Sequence, residues 1–121
     1  MTATWMVLLY SDEGFWSMAT PEIKDQIRSE HRAYAAACSE RGHKILGGSE
    51  LGFSSKAYST HRSDDGTIDI TRGPYRETAE YLAGYYVVET DDPCGLARLT
   101  SDILVTDGEG GVEVRPVVQH S

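Results

Sequence analysis

The sequence predicts an α+β domain of ferredoxin-like character, in which two helices cover one face of a largely antiparallel sheet. Three observations predict it. An apolar run near the N-terminus is followed by a long amphipathic helix, several short strand patterns with turn signals come next, and a second amphipathic helix precedes the last strand. With 121 residues, the chain is expected to form one domain, residues 1–121, whose core needs no disulfide or metal.

The first strand and the first long helix have clear local signals. Residues 5–10 form a continuous apolar run, which is typical of a buried strand, and residues 11–19 are predicted to be a loop. Thr20 is suited to cap the helix, and the proline after it favours the first helical position. The helix is expected to continue over residues 21–41 and to end at Gly42.

This helix carries an apolar stripe at helical spacing, made of Ile23, Ile27, Tyr34 and Cys38. His31 falls on the same stripe, four residues after Ile27 and three before Tyr34. Its imidazole is therefore predicted to face the protein interior.

The remaining strands are shorter. Residues 44–52 predict a strand interrupted by the Gly47-Gly48 pair, which indicates a bulge or a close backbone approach. Residues 81–89 and 112–118 predict two further strands, and residues 107–111 a turn. The last three residues are expected to form a loose tail.

The second helix begins at the Asp91-Asp92-Pro93 sequence, which combines a capping residue with a proline suited to the first turn. Its inward face is predicted to consist of Leu96, Leu99 and Ile103.

A hairpin is predicted over residues 57–71, with Asp65-Gly66 as a two-residue turn. That turn fixes a register that places Arg62 opposite Asp69 and His61 opposite Ile70. His61 is then expected to point inward together with the isoleucines. Downstream, the Gly73-Pro74 corner is predicted to be rigid, because proline fixes φ and glycine adopts values that other residues avoid.

The predicted architecture leaves one sheet face without a helix. Apolar residues on that face need a cover, and a second copy of the chain is the simplest one. We therefore expect a homodimer.

The charge balance argues against two classes of partner. The chain has 11 Lys and Arg residues against 19 Asp and Glu residues, a formal net charge of -8. Nucleic acids and anionic membrane surfaces repel such a chain, and no apolar run approaches the roughly 18 residues of a membrane span. The sequence begins without a secretory signal, and Cys38 and Cys94 lack metal-ligand spacing. We expect reduced cysteines and a cytoplasmic location.

Several sequence pieces, taken together in their order and spacing, resemble the YCII-related family, also called the DGPF-domain family. The resemblance extends from about residue 5 to residue 118 and is carried by Leu8-Leu9-Tyr10-Ser11-Asp12-Glu13, Trp16, Pro21-Glu22, Gly47-Gly48-Ser49-Glu50-Leu51, Arg72-Gly73-Pro74-Tyr75, Glu77-Thr78, Gly84-Tyr85-Tyr86 and Glu113-Val114-Arg115-Pro116-Val117.

The resemblance implies a fold of the dimeric α+β barrel type, a homodimer, and a pocket between the sheet and the helices. Some relatives are thought to use a histidine and an acidic residue as an acid–base pair, and a dehydrochlorinase activity is associated with the family. Others look like accessory proteins encoded with extracytoplasmic-function sigma factors. The usual motif reads Asp-Gly-Pro-Phe, whereas this chain has Arg72-Gly73-Pro74-Tyr75, which shifts the local preference toward anions.

His31 and Glu50 are the candidate catalytic residues. An imidazole titrates near neutral pH and can exchange a proton at useful rates, and the family often has a histidine near this place. An inward histidine needs a partner, for which Glu50, a tyrosine or a bound ligand are the candidates. The alternative is a half-buried histidine bonded to a backbone carbonyl, with Glu50 merely solvated.

The candidate substrate-binding residues are Arg72, Pro74, Tyr75, His61 and Tyr10. Arg72 is suited to hold a carboxylate through two hydrogen bonds, or to pair with a nearby glutamate. Tyr75 is suited to stack on a ligand or to pack at a dimer interface. His61 has the alternative of a solvated strand residue, and Tyr10 that of a core or interface residue.

No cofactor or metal is expected, because the histidines and cysteines show no ligand spacing and no phosphate-binding loop is present. We expect an acid–base enzyme of lyase or isomerase type that acts on a small anionic organic substrate. The alternative is a non-catalytic dimeric module that binds a ligand or a protein, in the setting of sigma-factor signalling.

Overall fold

The computed structural model describes residues 2–78, 80–104 and 110–120. Its elements, in chain order, are β1 (Ala3–Ser11), α1 (Glu13–Met18), α2 (Pro21–Glu40), β2 (Lys44–Glu50), a 3-10 turn (Ser54–Lys56), β3 (Tyr58–Arg62), β4 (Ile68–Arg72), β5 (Tyr81–Thr90), α3 (Pro93–Leu104) and β6 (Gly111–Pro116).

Four strands form the main sheet in the order β2-β5-β1-β6, and every neighbouring pair is antiparallel. In the chain, helix α2 comes after β1 and helix α3 comes after β5. These two helices and the four strands form the ferredoxin-like arrangement. The predicted α+β fold class is therefore confirmed. Within the described residues, strands β3 and β4 pair with each other and form a separate two-stranded sheet. In the sequence they lie between β2 and β5.

The core lies between one face of the main sheet and the two long helices. Val7 of β1 and Val88 of β5 are fully buried there. They pack with two residues of α2 and two of α3, namely Tyr34, Cys38, Leu96 and Leu99. Both helices therefore cover the same sheet face, as predicted.

The limits of α2 agree with the sequence signals. The Thr20 hydroxyl accepts a hydrogen bond from the amide of Ile23 at 3.2 Å, and Pro21 occupies the first turn. Gly42 follows the helix with a φ of +80°, a value that favours glycine.

The prediction of a loop over residues 11–19 is wrong for most of that segment, because Glu13–Met18 is the short helix α1. Asp12 caps it by accepting a hydrogen bond from the amide of Gly14 at 2.7 Å. Asp12 and Glu13 are thus the cap and the first turn of a helix.

The predicted hairpin is present, but its predicted register is wrong by one residue. The turn contains three residues, because the amide of Ser63 donates to the carbonyl of Thr67 at 2.8 Å. Gly66 closes this turn with a φ of +88°, which is typical of a three-residue turn with a bulge. Arg62 therefore lies opposite Ile68, not opposite Asp69.

The same shift changes the environment of His61. It lies opposite Asp69 and is exposed, so the prediction that it points inward beside Ile70 is wrong. Ile68 and Ile70 are themselves 52% and 67% exposed, because the hairpin stands apart from the core.

The glycine pair in β2 behaves as predicted. The register with β5 shifts between Ile45 and Gly47, which marks a bulge. A Cβ atom on Gly48 would lie 2.5 Å from the carbonyl oxygen of Tyr85, so the two backbones approach closely. The turn predicted over residues 107–111 lies largely outside the described residues. Among the described helices, none is long and apolar enough to cross a membrane.

Candidate functional site

A cavity of about 770 Å³ opens beside the N-terminal half of α2. The rest of its wall comes from the end of β1, helix α1, the end of β2 with the segment that follows it, the beginning of β5, the end of α3 and the beginning of β6. All four strands of the main sheet contribute residues from the same end, so the cavity lies between that end of the sheet and α2.

His31 projects into this cavity from α2. Its Nδ1 lies 2.6 Å from the hydroxyl oxygen of Tyr86 on β5, and the centroids of the two rings are 5.8 Å apart. Within the described part of the chain, this is the one hydrogen bond found for the imidazole, and none is found for Nε2. The predicted inward orientation of His31 is confirmed, and the partner is a tyrosine, one of the three alternatives considered.

Burial lowers the pKa of His31 below its ordinary value of 6.5, while the negative charges of Glu30 and Glu50 raise it in part. Burial also raises the pKa of the Tyr86 hydroxyl above 10.0, with a smaller contribution from Cys38. At neutral pH the imidazole is therefore mostly uncharged and the phenol keeps its proton. In a neutral imidazole whose Nδ1–H donates to the hydroxyl oxygen, Nε2 is able to accept a proton.

Tyr86 is itself held by the core. Its ring packs against Tyr34 with 5.2 Å between the ring centroids. The fully buried Tyr34 hydroxyl forms a 2.7 Å hydrogen bond with the hydroxyl of Thr100 on α3, and Thr100 also donates to the carbonyl of Leu96. The position of His31 is thus linked through Tyr86 to the rigid centre of the molecule.

A second set of hydrogen bonds joins helix α1 to the 3-10 turn and to the end of β1 at the cavity rim. The Glu13 carboxylate of α1 accepts from both the amide and the hydroxyl of Ser54, each at 2.6 Å. The indole of Trp16 donates to the hydroxyl of Ser11 at 3.0 Å. Glu13 is therefore committed to a structural contact between α1 and the 3-10 turn.

Four basic residues line the cavity, and sequence reasoning missed them. They are Lys24, Arg28 and Arg32 on α2 and Lys56 in the 3-10 turn. The α2 residues follow each other at intervals of four, so they share one helix face beside His31. That spacing is visible in the sequence and was the available signal.

The cavity also contains two of the other predicted site residues, Glu50 and Tyr10. Glu50 is the last residue of β2, and it acts on His31 through its charge rather than through a hydrogen bond. Tyr10 lies near the end of β1. Three of the predicted site residues are thus brought together around one cavity.

The other predicted residues lie elsewhere, on the hairpin and the corner after it. His61, Pro74 and Tyr75 line a shallower depression of about 340 Å³. Arg72 donates to the hydroxyl of Tyr58 at 3.1 Å, and its guanidinium lies 4.7 Å from the centre of that ring. The sequence placed these residues in one site with His31, whereas the structure divides them between two places.

The rigid corner itself is present. Gly73 has a φ of +128°, which favours glycine, and its amide donates to the carbonyl of Ala57 at 2.7 Å. The Gly73 carbonyl accepts from the hydroxyl of Ser59, also at 2.7 Å. These bonds hold the corner at the base of the hairpin, away from the cavity.

Over residues 2–78, 80–104 and 110–120, no three His, Cys, Asp or Glu side chains converge as a metal site would require.

The fold and the cavity together define an α+β protein of ferredoxin-like topology with a histidine at the edge of its helix–sheet core. The model of the YCII-related domain matches residues 3–121, which is nearly the whole chain. The chain therefore belongs to the YCII-related family. No curated protein matches it.

Proposed function

We propose that this protein is an acid–base enzyme of lyase or isomerase type, in which His31 moves a proton on a small organic anion. The observation that carries the proposal is the 2.6 Å contact between His31 Nδ1 and the Tyr86 hydroxyl at the wall of a cavity large enough for a small molecule. It fixes the imidazole and leaves its second nitrogen to meet a ligand.

His31 serves as the base in its neutral form. Burial favours that form, and when Nδ1–H donates to the hydroxyl oxygen of Tyr86 the electron pair on Nε2 is left to take a proton. The imidazolium is then stabilised by the negative charge of Glu50, which supports the predicted pairing of these two residues in an electrostatic sense. Loss of a proton from the carbon next to a carbonyl group leads to isomerisation when a proton is returned at another atom, and to elimination when a leaving group departs from the neighbouring carbon with its electron pair.

The test is exchange of carbon-bound protons in D2O, followed by NMR with a panel of small carboxylic acids that have a C–H next to a carbonyl. The wild-type protein should exchange at least one member of the panel. His31→Gln should abolish that exchange while the protein stays folded. His120→Gln is the matched control, because His120 is exposed near the C-terminus. Equal exchange by His31→Gln and wild type would refute the proposal.

We also propose that the protein is a homodimer. The sheet face opposite the helices carries Met6 from β1 and Val87 from β5, both partly exposed, because side chains alternate along each strand. A second copy would cover these apolar groups. Light scattering should give twice the 13.3 kDa mass of one chain, and a monomer at micromolar concentration would contradict the proposal.

A non-catalytic binding module is the second candidate, and one observation favours it. The hairpin and its corner expose Tyr58, Ile70 and Tyr75, which are 70%, 67% and 82% accessible. Exposed apolar groups of this kind are typical of interaction surfaces. Ligand binding in the cavity without proton exchange for any acid in the panel would favour this candidate over the enzyme.

A further inference from the structure

We propose that the basic residues of the cavity form an anchor for a carboxylate, and that the site selects a monocarboxylate with an apolar body. The anchor consists of Lys24, Arg28 and Arg32 on α2 and Lys56 opposite them. The inference rests on the proposed function, since it names the class of substrate that would meet His31.

The first observation is a reversal of charge. In the whole chain, acidic residues outnumber Lys and Arg by 19 to 11. Among the residues that line the cavity, the acids are Glu13 and Glu50, whereas four are basic. The Glu13 carboxylate is already bonded to the amide and hydroxyl of Ser54. A cavity with this lining attracts an anion even though the protein as a whole repels one.

The second observation is the position of the basic residues relative to His31. With a rise of about 1.5 Å per residue, Arg28 begins roughly 4.5 Å from His31 along the helix axis, and Arg32 is its immediate neighbour in the chain. A carboxylate held by these guanidinium groups would place its next carbon atoms beside the imidazole. Asp25 engages Nη1 of Arg28 at 2.6 Å, but a guanidinium has five N–H donors and can bind a second carboxylate.

The third observation is the apolar part of the same cavity. Phe15 and Trp16 of α1 and Phe53 before the 3-10 turn line it, together with Ile27 of α2. The indole of Trp16 is fixed by its bond to Ser11. A ligand that fills the cavity must therefore offer a charged end to the basic residues and an apolar body to this wall.

The experiment is calorimetric titration of the full chain with three probes: benzoate, acetate and benzyl alcohol. Benzoate combines the charge with the apolar body, acetate has the charge alone, and benzyl alcohol has the body alone. Benzoate should bind about tenfold or more tightly than either of the others, because benzyl alcohol lacks the charge-assisted hydrogen bonds and acetate lacks the apolar ring that the cavity would bury. Added salt should weaken benzoate binding, since the basic side chains are partly exposed.

Variants separate this inference from the proposed function. The double variant Arg28→Gln/Arg32→Gln should weaken benzoate binding by about tenfold or more. Arg98→Gln is the control, because Arg98 is an exposed arginine of α3 outside the cavity lining. His31→Gln should bind benzoate within a few fold of wild type while losing proton exchange.

Three results would overturn the inference: benzoate binding that the double variant leaves unchanged, acetate or benzyl alcohol binding as well as benzoate, or no binding of any probe. Proton exchange that depends on His31 would survive each of these results, and the proposed function would then stand without the carboxylate anchor. Conversely, benzoate binding that needs the arginines, without any His31-dependent exchange, would support the anchor and reject the enzyme.

Discussion

Removal of the Tyr86 hydroxyl is the perturbation that most directly tests how His31 is held. In Tyr86→Phe the ring remains and its contact with Tyr34 is kept, but the 2.6 Å hydrogen bond to His31 Nδ1 is lost. A neutral hydrogen bond contributes about 1 kcal/mol net, and here water can enter from the cavity to replace part of it. The expected loss in the free energy of unfolding is therefore about 1 kcal/mol, or about 4 °C in melting temperature for a domain of this size.

Tyr34→Phe is the matched control. It removes a hydroxyl from the neighbouring tyrosine, but that hydroxyl is fully buried and bonds to Thr100 instead of His31. Its loss should destabilise the protein by about 1 to 2 kcal/mol, because water cannot reach the remaining partner. Both variants are thus expected to lower stability, and stability alone does not distinguish them.

The distinguishing measurement is the protonation pattern of the His31 ring by long-range 1H–15N NMR. A base that acts at Nε2 needs its electron pair there, so in wild type Nδ1 should carry the ring proton and donate it to the hydroxyl oxygen of Tyr86. Tyr86→Phe should shift the His31 nitrogen signals toward those of a solvated ring, whereas Tyr34→Phe should leave them in place. Identical His31 signals in wild type and Tyr86→Phe would refute the conclusion that Tyr86 positions the imidazole.

Three further outcomes are expected. The pKa of His31 is lowered in the folded state, so near and below pH 6.5 the unfolded chain binds more protons than the folded one. The free energy of unfolding should therefore fall as the pH decreases through 6.5. Urea titrations from pH 5 to 8 should show that His31→Gln lacks this contribution to the pH dependence. Gly48→Ala should lower the free energy of unfolding by about 1 to 3 kcal/mol, because the added Cβ would lie 2.5 Å from the Tyr85 carbonyl oxygen. Gly47→Ala is the control, because no atom lies within 4 Å of its added Cβ; it should change stability by less than about 1 kcal/mol in the same denaturation assay. Gly66→Ala should cost about 1 to 2 kcal/mol, since its φ of +88° disfavours a side chain, and ligand binding in the cavity should be unaffected; a neutral effect on stability would contradict the assigned turn.

The long-range architecture was predictable because its signals are local and repeated. The apolar spacing of α2, its Thr20 cap and the run in β1 each favour one structure, and the helix stripe correctly placed His31 toward the interior. The hairpin register was not predictable with the same rules. A two-residue and a three-residue turn are both compatible with Asp64-Asp65-Gly66, and the choice shifts every pair by one.

The composition of the site was only partly predictable, for a different reason. Local motifs suggested that the Gly73-Pro74 corner and His31 belong together, but nothing local determines that a hairpin carries the corner away from the main sheet. Conversely, Lys56 and Tyr86 come near His31 only through the folded arrangement of β2, β5 and α2. Contacts between distant segments depend on topology, which the helix periodicity does not encode.

The location of the cavity follows from how burial changes along α2. Tyr34 and Cys38, near its C-terminal end, are completely buried against the sheet, whereas His31 and Ile27 are half-buried and Ile23 is 36% exposed. The apolar stripe therefore continues for two turns beyond the part of the sheet that covers it. The uncovered part of the stripe, with His31 at its inner end and the basic residues beside it, is the wall of the cavity. The same helix thus provides both the core and the site, and a residue on a core-type stripe is available to a ligand because burial decreases toward the N-terminal end of the helix.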